Sequence, residues 1–233
     1  MSASESHVAP RRSAQADTST RLACRVILFD LDGVLVDSTR CIERCWSAWA
    51  VDRGLDPVAV MRAAHGRRVA ETLRLVAPHL DEAGEGLALE HIESHETEGL
   101  AEVPGVARLM RLLPPGSWAI VTSAVRSVAE HRLRYVGLKV PATFVTADQV
   151  TYGKPDPEGY LEAAARLGLE PRDCIVIEDS PSGIEAARAA GMRAIGIYGA
   201  SEPSTLKMAD AVVHAFGDIR VEVLADGGLV LSP

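Results

Sequence analysis

The stretch RVILFDLDGVLVDS, residues 25–38, decides how this chain is interpreted. Its first half is an apolar run typical of a buried strand, and the run ends at two carboxylates, Asp30 and Asp32, followed by Gly33. Acids at i and i+2 on an extended chain face the same way, and a core tolerates such a pair poorly unless a cation or a reaction requires it. The alternative interpretation is an acidic loop after a buried strand, which short acidic motifs often mark.

Short apolar runs rich in Val and Ile recur along the rest of the chain, with helical periodicity between them. Continuous apolar strands indicate a parallel sheet that is covered on both faces. We therefore predict an α/β fold with a Rossmann-like, doubly wound parallel sheet. The predicted strands are residues 24–29, 118–121, 143–145, 174–177, 194–197 and 211–213, and the predicted helices between them are 125–136, 157–167 and 182–190.

One interval breaks this alternation, because residues 37–103 contain helical patterns and no convincing strand. The predicted helices here are 41–51, 58–64, 69–75 and 86–98, and Pro104 and Gly105 mark the return to the core. We predict an inserted α-helical domain at 37–103, called the cap below, and a core at 23–36 and 104–233. Residues 1–22 are predicted to form a disordered tail, and residues 219–223 and 229–231 a terminal hairpin.

Composition narrows the class of protein. The chain has 233 residues, 47% of them hydrophobic, with a net charge of -8, which argues against a nucleic-acid surface. Apolar runs are too short for a membrane span, and no signal-peptide core follows the N-terminus. The four cysteines lack metal-site spacing and are expected to pack as reduced thiols. We expect a cytoplasmic enzyme with no membrane or nucleic-acid partner.

Three further strand ends carry candidate groups. Thr122, Ser123 and Ala124 follow a predicted strand just before a helix, where hydroxyls and free amides can cradle a phosphate. A simple N-cap is the alternative. Glu178 and Asp179 end another strand beside a helix N-terminus, where capping is again the alternative.

Lys154 lies between Gly153 and Pro155 at the entry to a helix. Lysine is scarce, since only Lys139, Lys154 and Lys207 occur among 24 basic residues, so a lysine in a rigid turn indicates a compact point charge selected for a purpose. A solvated turn residue is the alternative. All these groups fall at the carboxyl ends of predicted parallel strands, the edge where open α/β sheets bind ligands. Carboxylates can share that edge if Mg²⁺ lies among them, and a phosphate group would meet the lysine.

The order DxDG, Thr-Ser at a strand end, Lys in GKPDP and Glu-Asp at a strand end resembles the haloacid dehalogenase superfamily of phosphohydrolases. The match covers about residues 26–197, and the insertion resembles the small helical cap of that superfamily. HGRR at 65–68, EHIESHETEG at 90–99, VPG and WAIVTS are similar to sugar phosphatases of the 2-deoxyglucose-6-phosphate, glycerol-3-phosphate and sugar-alcohol type.

The resemblance implies a role for each motif. Asp30 would be the nucleophile that forms an aspartyl-phosphate, and Asp32 the general acid and base. Thr122 and Lys154 would hold the phosphoryl group. Mg²⁺ would be bound by the Asp30 carboxylate, the Asp32 main-chain carbonyl and Asp179, with help from Glu178, directly or through water. Dehalogenases of the superfamily lack the second aspartate, so Asp32 favours phosphoryl transfer.

Cap residues are expected to set the specificity of the phosphatase. His65, Arg67 and Arg68 follow a helical stretch and could bind sugar hydroxyls or a second anionic group; the alternative is a solvated basic face. His91 and His95 lie one helical turn apart, but the HExxH metalloprotease motif needs Glu directly after the first His, so a polar cap helix is preferred.

The leading hypothesis is a Mg²⁺-dependent phosphatase of small sugar or polyol monophosphates, acting as a monomer or homodimer. One alternative is a sugar-phosphate mutase similar to β-phosphoglucomutase. The mutase and phosphonate-cleaving branches tend to use a cap lysine, and residues 37–105 contain no lysine. Another alternative is a non-catalytic sugar-phosphate sensor, which the intact acids disfavour.

Overall fold

The computed structural model describes residues 20–198 and 203–233. In chain order its strands are β1 (Leu22–Cys24), β2 (Val26–Phe29), β3 (Val36–Asp37), β4 (Ala101–Glu102), β5 (Trp118–Val121), β6 (Phe144–Val145), β7 (Cys174–Glu178), β8 (Arg193–Ile197), β9 (Ala211–Val213), β10 (Arg220–Val223) and β11 (Leu229–Ser232). Its α-helices are α1 (Thr39–Asp52), α2 (Pro57–Ala64), α3 (Val69–Val76), α4 (Glu82–Glu93), α5 (Val106–Leu112), α6 (Arg126–Tyr135), α7 (Glu158–Leu167) and α8 (Pro181–Ala189).

The described residues form a six-stranded parallel sheet in the order β6-β5-β2-β7-β8-β9. Its central strands β2 and β7 are buried on both faces, which explains their uninterrupted apolar sequence. Separate hydrophobic clusters cover the two faces. The predicted α/β class, a Rossmann-like doubly wound parallel sheet with flanking helices, is confirmed.

The prediction of one strand over residues 24–29 was wrong. The chain bends at Arg25, and β1 leaves the parallel sheet to pair antiparallel with β11. Strand β11 also pairs with β10, which confirms the terminal hairpin and makes it part of a three-stranded sheet. Leu22, placed at the end of the predicted tail, is buried in β1. Residues 1–19 of that tail lie outside the described residues.

The interval between β3 and β4 holds helices α1 to α4, which pack around their own hydrophobic cluster, with Trp46, Trp49 and Leu89 among its members. Strands β3 and β4 pair antiparallel where the chain leaves and re-enters the core. Helix α4 was predicted at 86–98 but begins at Glu82 and ends at Glu93. Gly84 and Gly86 obscured its start. The division into cap and core at residues 37 and 103 stays a prediction that this separate cluster supports.

Among the helices of the described residues, none is both long enough and apolar enough to cross a membrane.

Candidate active site

Four chain segments meet at the carboxyl edge of the parallel sheet. Asp30 directly follows β2, Thr122 follows β5, and Glu178 is the last residue of β7. Lys154 lies in the connection between β6 and α7. Each of these four residues is buried. Residues from four distant parts of the sequence therefore share one small volume, as expected for the strand ends of a parallel sheet.

Lys154 bridges two carboxylates at this edge, those of Asp30 and Glu178. Its Nζ donates to Asp30 Oδ1 at 2.5 Å and to Glu178 Oε1 at 2.6 Å. The carbonyl of Val121 lies 3.4 Å away as a further acceptor. A lysine that is bonded in this way is not a solvated turn residue, so that alternative is excluded by the geometry.

Glu178 is fully buried, and both of its carboxylate oxygens are occupied. Oε1 accepts from Lys154 and from the Tyr160 hydroxyl at 2.9 Å. Oε2 accepts from the amides of Asp179 and Ser180, each at 3.0 Å, and from the Ser180 hydroxyl at 2.9 Å. Because these bonds leave the carboxylate little free capacity, Glu178 fits the role of an anchor for Lys154 and a water-mediated rather than a direct ligand.

Carboxylate oxygens of Asp30, Glu178 and Asp179 lie within 4.8 Å of one another. Among the described residues, these three side chains form a cluster that could bind a metal ion. The Asp179 carboxylate accepts no hydrogen bond from that part of the chain, and His65 Nε2 lies 3.9 Å from it. A Cβ on Gly33 would lie 1.9 Å from Asp179 Oδ2, so glycine keeps this space open. The cluster offers only oxygen ligands, and its three carboxylates face a single lysine. Both features fit a Mg²⁺ ion.

Burial raises the pKa of Asp30 to about 7, with Glu178 and Asp32 adding to the effect and Lys154 opposing it. Burial together with Glu178 and Asp30 also raises the pKa of Asp179 well above its ordinary value. For Glu178, burial acts to raise the pKa, but Lys154 and the hydrogen bonds outweigh it and lower the pKa. The carboxyl groups at this edge therefore outnumber the single positive charge of Lys154.

The raised pKa of Asp30 predicts a pH-dependent stability difference in metal-free protein. Folded Asp30 holds its proton up to about pH 7, whereas an unfolded aspartate releases it near 3.8. Between these values the folded state binds more protons, so its stability from this group falls as the pH rises. We expect the Asp30→Asn variant in EDTA to gain melting temperature over wild type as the pH rises from about 5 to about 8. A constant difference across that range would contradict the assignment.

The hydrogen bonds of the Asp32 carboxylate go to residues outside the group of Asp30, Glu178 and Asp179. Asp32 Oδ1 accepts from the Ser38 hydroxyl at 2.6 Å, and its Oδ2 accepts from Arg132 Nη1 at 2.7 Å. The predicted contribution of Asp32 to a metal was through its main-chain carbonyl. The structure thus separates the two acids of the DxD motif, Asp30 toward Lys154 and Asp32 toward Arg132.

Thr122, Ser123 and Ala124 form the turn between β5 and α6. The Ala124 amide donates to Thr122 Oγ1 at 3.1 Å, so the threonine caps its own turn while its hydrogen can still donate to a ligand. Ser123 Oγ donates to the carbonyl of Gly66 in the cap at 3.1 Å. Both the capping and the ligand-binding interpretation of this turn are compatible with the structure.

A cavity of about 110 Å³ lies between cap and core next to these groups. Asp32, Ser123, Ala124 and Asp179 line it from the core. His65, Arg67, Trp46, Ile42 and Met61 line it from the cap. The predicted site residues His65 and Arg67 are thus brought to the cavity.

Arg68 does not line this cavity, and its role as a substrate contact stays a prediction. Its guanidinium donates hydrogen bonds to Glu71 and to the carbonyls of Val150 at 3.1 Å and Thr151 at 2.9 Å. Glu71 in turn accepts from the amide of Gly153 at 3.0 Å. Arg68 therefore fastens the cap to the loop that carries Lys154. His91 lies near the end of α4 and His95 in the turn that follows it; both are exposed, and their rings are 4.6 Å apart.

Ser38, Glu93, Arg132 and Tyr160 were missed from the sequence. Arg132 and Glu93 carried a usable signal, because each falls on the apolar face of its helix. Arg132 follows buried Val128 by four residues, and Glu93 follows buried Leu89 by four. Charged residues in an apolar stripe need a partner. Ser38 and Tyr160 gave no such signal, since their types occur commonly at helix starts and in cores.

Residues 24–191 match the family model of haloacid dehalogenase-like hydrolases. Hexitol phosphatase A of Escherichia coli is 40% identical over 216 residues, which cover 91% of this chain and all of that protein. 2-Deoxyglucose-6-phosphate phosphatase 1 of Saccharomyces cerevisiae is 34% identical, covering 88% of this chain and 93% of that protein. The crystal structure of a hydrolase from Pseudomonas syringae superposes with a TM-score of 0.73 at 26% identity, over 83% of this chain and 94% of that one.

Proposed function

The chain belongs to the haloacid dehalogenase-like hydrolase family and is a phosphoric monoester hydrolase, and from that premise we propose that it hydrolyses small sugar or polyol monophosphates through an aspartyl-phosphate, with Mg²⁺ as cofactor. The observation that carries the proposal is the buried Asp30 held against Lys154, with a second acid, Asp32, two residues away. The free thiols and the acidic net charge of the chain are consistent with a cytoplasmic enzyme.

In the first step, an oxygen of Asp30 attacks phosphorus and the bond from phosphorus to the alcohol oxygen breaks. Lys154 balances charge on the transferring group, because its ammonium already contacts Asp30 and is held in place by Glu178. Burial disfavours the charged lysine, yet Asp30 and Glu178 raise its pKa well above the ordinary value, so it acts as a fixed cation. Thr122 supplies a hydroxyl donor beside it.

Asp32 handles the protons of both steps. It gives a proton to the leaving alkoxide, and in the second step it takes one from the water that attacks the aspartyl-phosphate. This water releases inorganic phosphate and regenerates the Asp30 carboxylate. The hydrogen bonds from Ser38 and Arg132 hold the Asp32 side chain beside the cavity.

Asp30 and Asp179 would hold Mg²⁺ through their carboxylates, the Asp32 main-chain carbonyl would add a third ligand, and Glu178 would act through water. A bound Mg²⁺ supplies positive charge that neutralises the phosphate oxygens. Asp179 is suited to this role because its carboxylate has no other strong partner in the described chain.

The cavity is suited to an uncharged alcohol of small size. Trp46, Ile42 and Met61 give it apolar walls, whereas His65 and Arg67 at the cap side supply donors for hydroxyl groups. This lining supports sugars and polyols, the class of alcohol in the names of both phosphatase relatives.

A phosphate-release screen across hexose, hexitol, pentose, pentitol and glycerol phosphates tests the proposal. We expect release of inorganic phosphate from one or more of them in the presence of Mg²⁺, and loss of that release after thorough treatment with EDTA. Undiminished release without metal contradicts the cofactor assignment. Isomerisation of a hexose 1-phosphate without net phosphate release would instead support the mutase alternative.

A further inference from the structure

Arg132 bridges two carboxylates that come from different parts of the chain. Its Nη1 donates to Asp32 Oδ2 at 2.7 Å, and its Nη2 donates to Glu93 Oε2 at 2.9 Å. Asp32 follows strand β2 of the core, whereas Glu93 is the last residue of cap helix α4. The arginine itself belongs to helix α6, and its side chain is only 2% exposed. All three residues line the cavity between cap and core.

These contacts fix the rotation of the Asp32 carboxylate. One oxygen accepts from Ser38 and the other from Arg132, so neither oxygen can turn without losing a hydrogen bond. A group that transfers a proton must lie within hydrogen-bond reach of the reacting atom. Orientation of this carboxylate therefore decides whether it can serve the leaving group.

Glu93 fixes the far end of the guanidinium. Its second oxygen, Oε1, accepts from Trp46 Nε1 at 2.9 Å, and its side chain is 6% exposed. A planar guanidinium that is bonded at both Nη atoms cannot rotate about its own axis. A lysine ammonium in the same place would be a point charge without this two-ended geometry.

Stability alone is a poor reason for this arrangement. A buried ion pair contributes little net stability compared with apolar residues of similar volume. Moreover, Arg132 Nε is buried without a hydrogen-bond partner in the described chain, which is unfavourable. The arrangement therefore adds little stability, and what it provides is a carboxylate of fixed orientation at the cavity.

We propose that Arg132, anchored by Glu93, is a positioning residue that aims the Asp32 carboxyl at the leaving-group oxygen. The inference rests on the proposed function, in which Asp32 protonates the alkoxide as the bond from phosphorus to oxygen breaks and the bond from phosphorus to Asp30 forms. A leaving group that is stable as an anion, such as acetate or p-nitrophenolate, needs no such proton.

The test compares two kinds of substrate in the double variant Arg132→Met/Glu93→Gln, which removes the arginine without leaving Glu93 as a lone buried charge. We expect kcat/KM for a hexitol phosphate to fall by about 10²-fold or more, the usual worth of general-acid catalysis. For acetyl phosphate and p-nitrophenyl phosphate, kcat/KM is expected to stay close to wild type. Arg134→Met, an exposed arginine on the same helix, is the matched control.

Equal losses on both kinds of substrate, or no loss on either, overturn the inference. Asp32→Asn, assayed in parallel, reports on the proposed function itself: it should show the same selective loss, and if it does not, the acid role of Asp32 fails. Circular dichroism checks that the double variant is folded. Should it not fold, Arg132→Lys carries the test, because it keeps a buried cation but cannot span both carboxylates; the same selective loss is expected.

Discussion

Replacement of Asp30 by asparagine is expected to lower phosphate release by about 10⁴-fold or more, since the amide cannot act as the nucleophile that forms the acyl phosphate. The fold should survive, because Lys154 keeps its contact with Glu178. Burial already favours the uncharged form of Asp30, whose pKa is raised to about 7. Steady-state phosphate release with saturating Mg²⁺ measures the effect, and circular dichroism checks the fold.

The matched control is Asp37→Asn. Asp37 belongs to the same sequence stretch as Asp30, but it is exposed and accepts only a long contact from the Thr39 amide at 3.4 Å. Its replacement should leave phosphate release close to wild type. If Asp30→Asn retained wild-type turnover, or if both variants lost activity alike, Asp30 would not be the nucleophile.

Replacement of Lys154 by methionine is expected to impair both stability and activity. It leaves the buried carboxylates of Asp30 and Glu178 facing each other without their cation. Removing one partner of a buried ion pair costs about 3–5 kcal/mol, which corresponds to a fall of about 10 °C in melting temperature for a chain of this size. Loss of the cation beside the phosphoryl group should lower kcat/KM by about 10³-fold at a temperature where the variant is folded.

Lys139→Met serves as the control for Lys154→Met, because Lys139 is exposed on the surface. It removes the same charge from the chain without touching the buried edge. Thermal melts and kcat/KM of the two variants should therefore differ clearly. A Lys154→Met variant as stable and active as the control would show that the buried ammonium supports neither the fold nor the reaction.

Most of the parallel sheet could be predicted from the sequence because its strands are buried on both faces and therefore read as apolar runs. The same rule failed at β1. Residues 24–29 look like one strand, yet the chain bends at Arg25, and β1 joins β11, about 200 residues further on. A partner so distant in sequence leaves no local trace in the pattern.

The acids and the lysine of the site could be predicted because a parallel sheet brings its carboxyl ends together. Contacts across the cap were beyond that rule, since they depend on how the helices pack. Arg68 was predicted as a substrate contact, and its bonds to the loop before Lys154 could not be foreseen. Arg132 was overlooked in a helix with other arginines. Its position on the buried face of α6 was the feature that distinguished Arg132 from them.

Formation of a phosphoryl group on Asp30 is the central claim, and acid quenching tests it most directly. Wild-type protein mixed rapidly with a ³²P-labelled hexitol phosphate and Mg²⁺, then quenched in acid, should carry label on the peptide that contains Asp30. Hydroxylamine should remove that label, as it does for an acyl phosphate, and Asp30→Asn should carry none. Phosphate release at the normal rate with no hydroxylamine-sensitive label on that peptide would contradict the account.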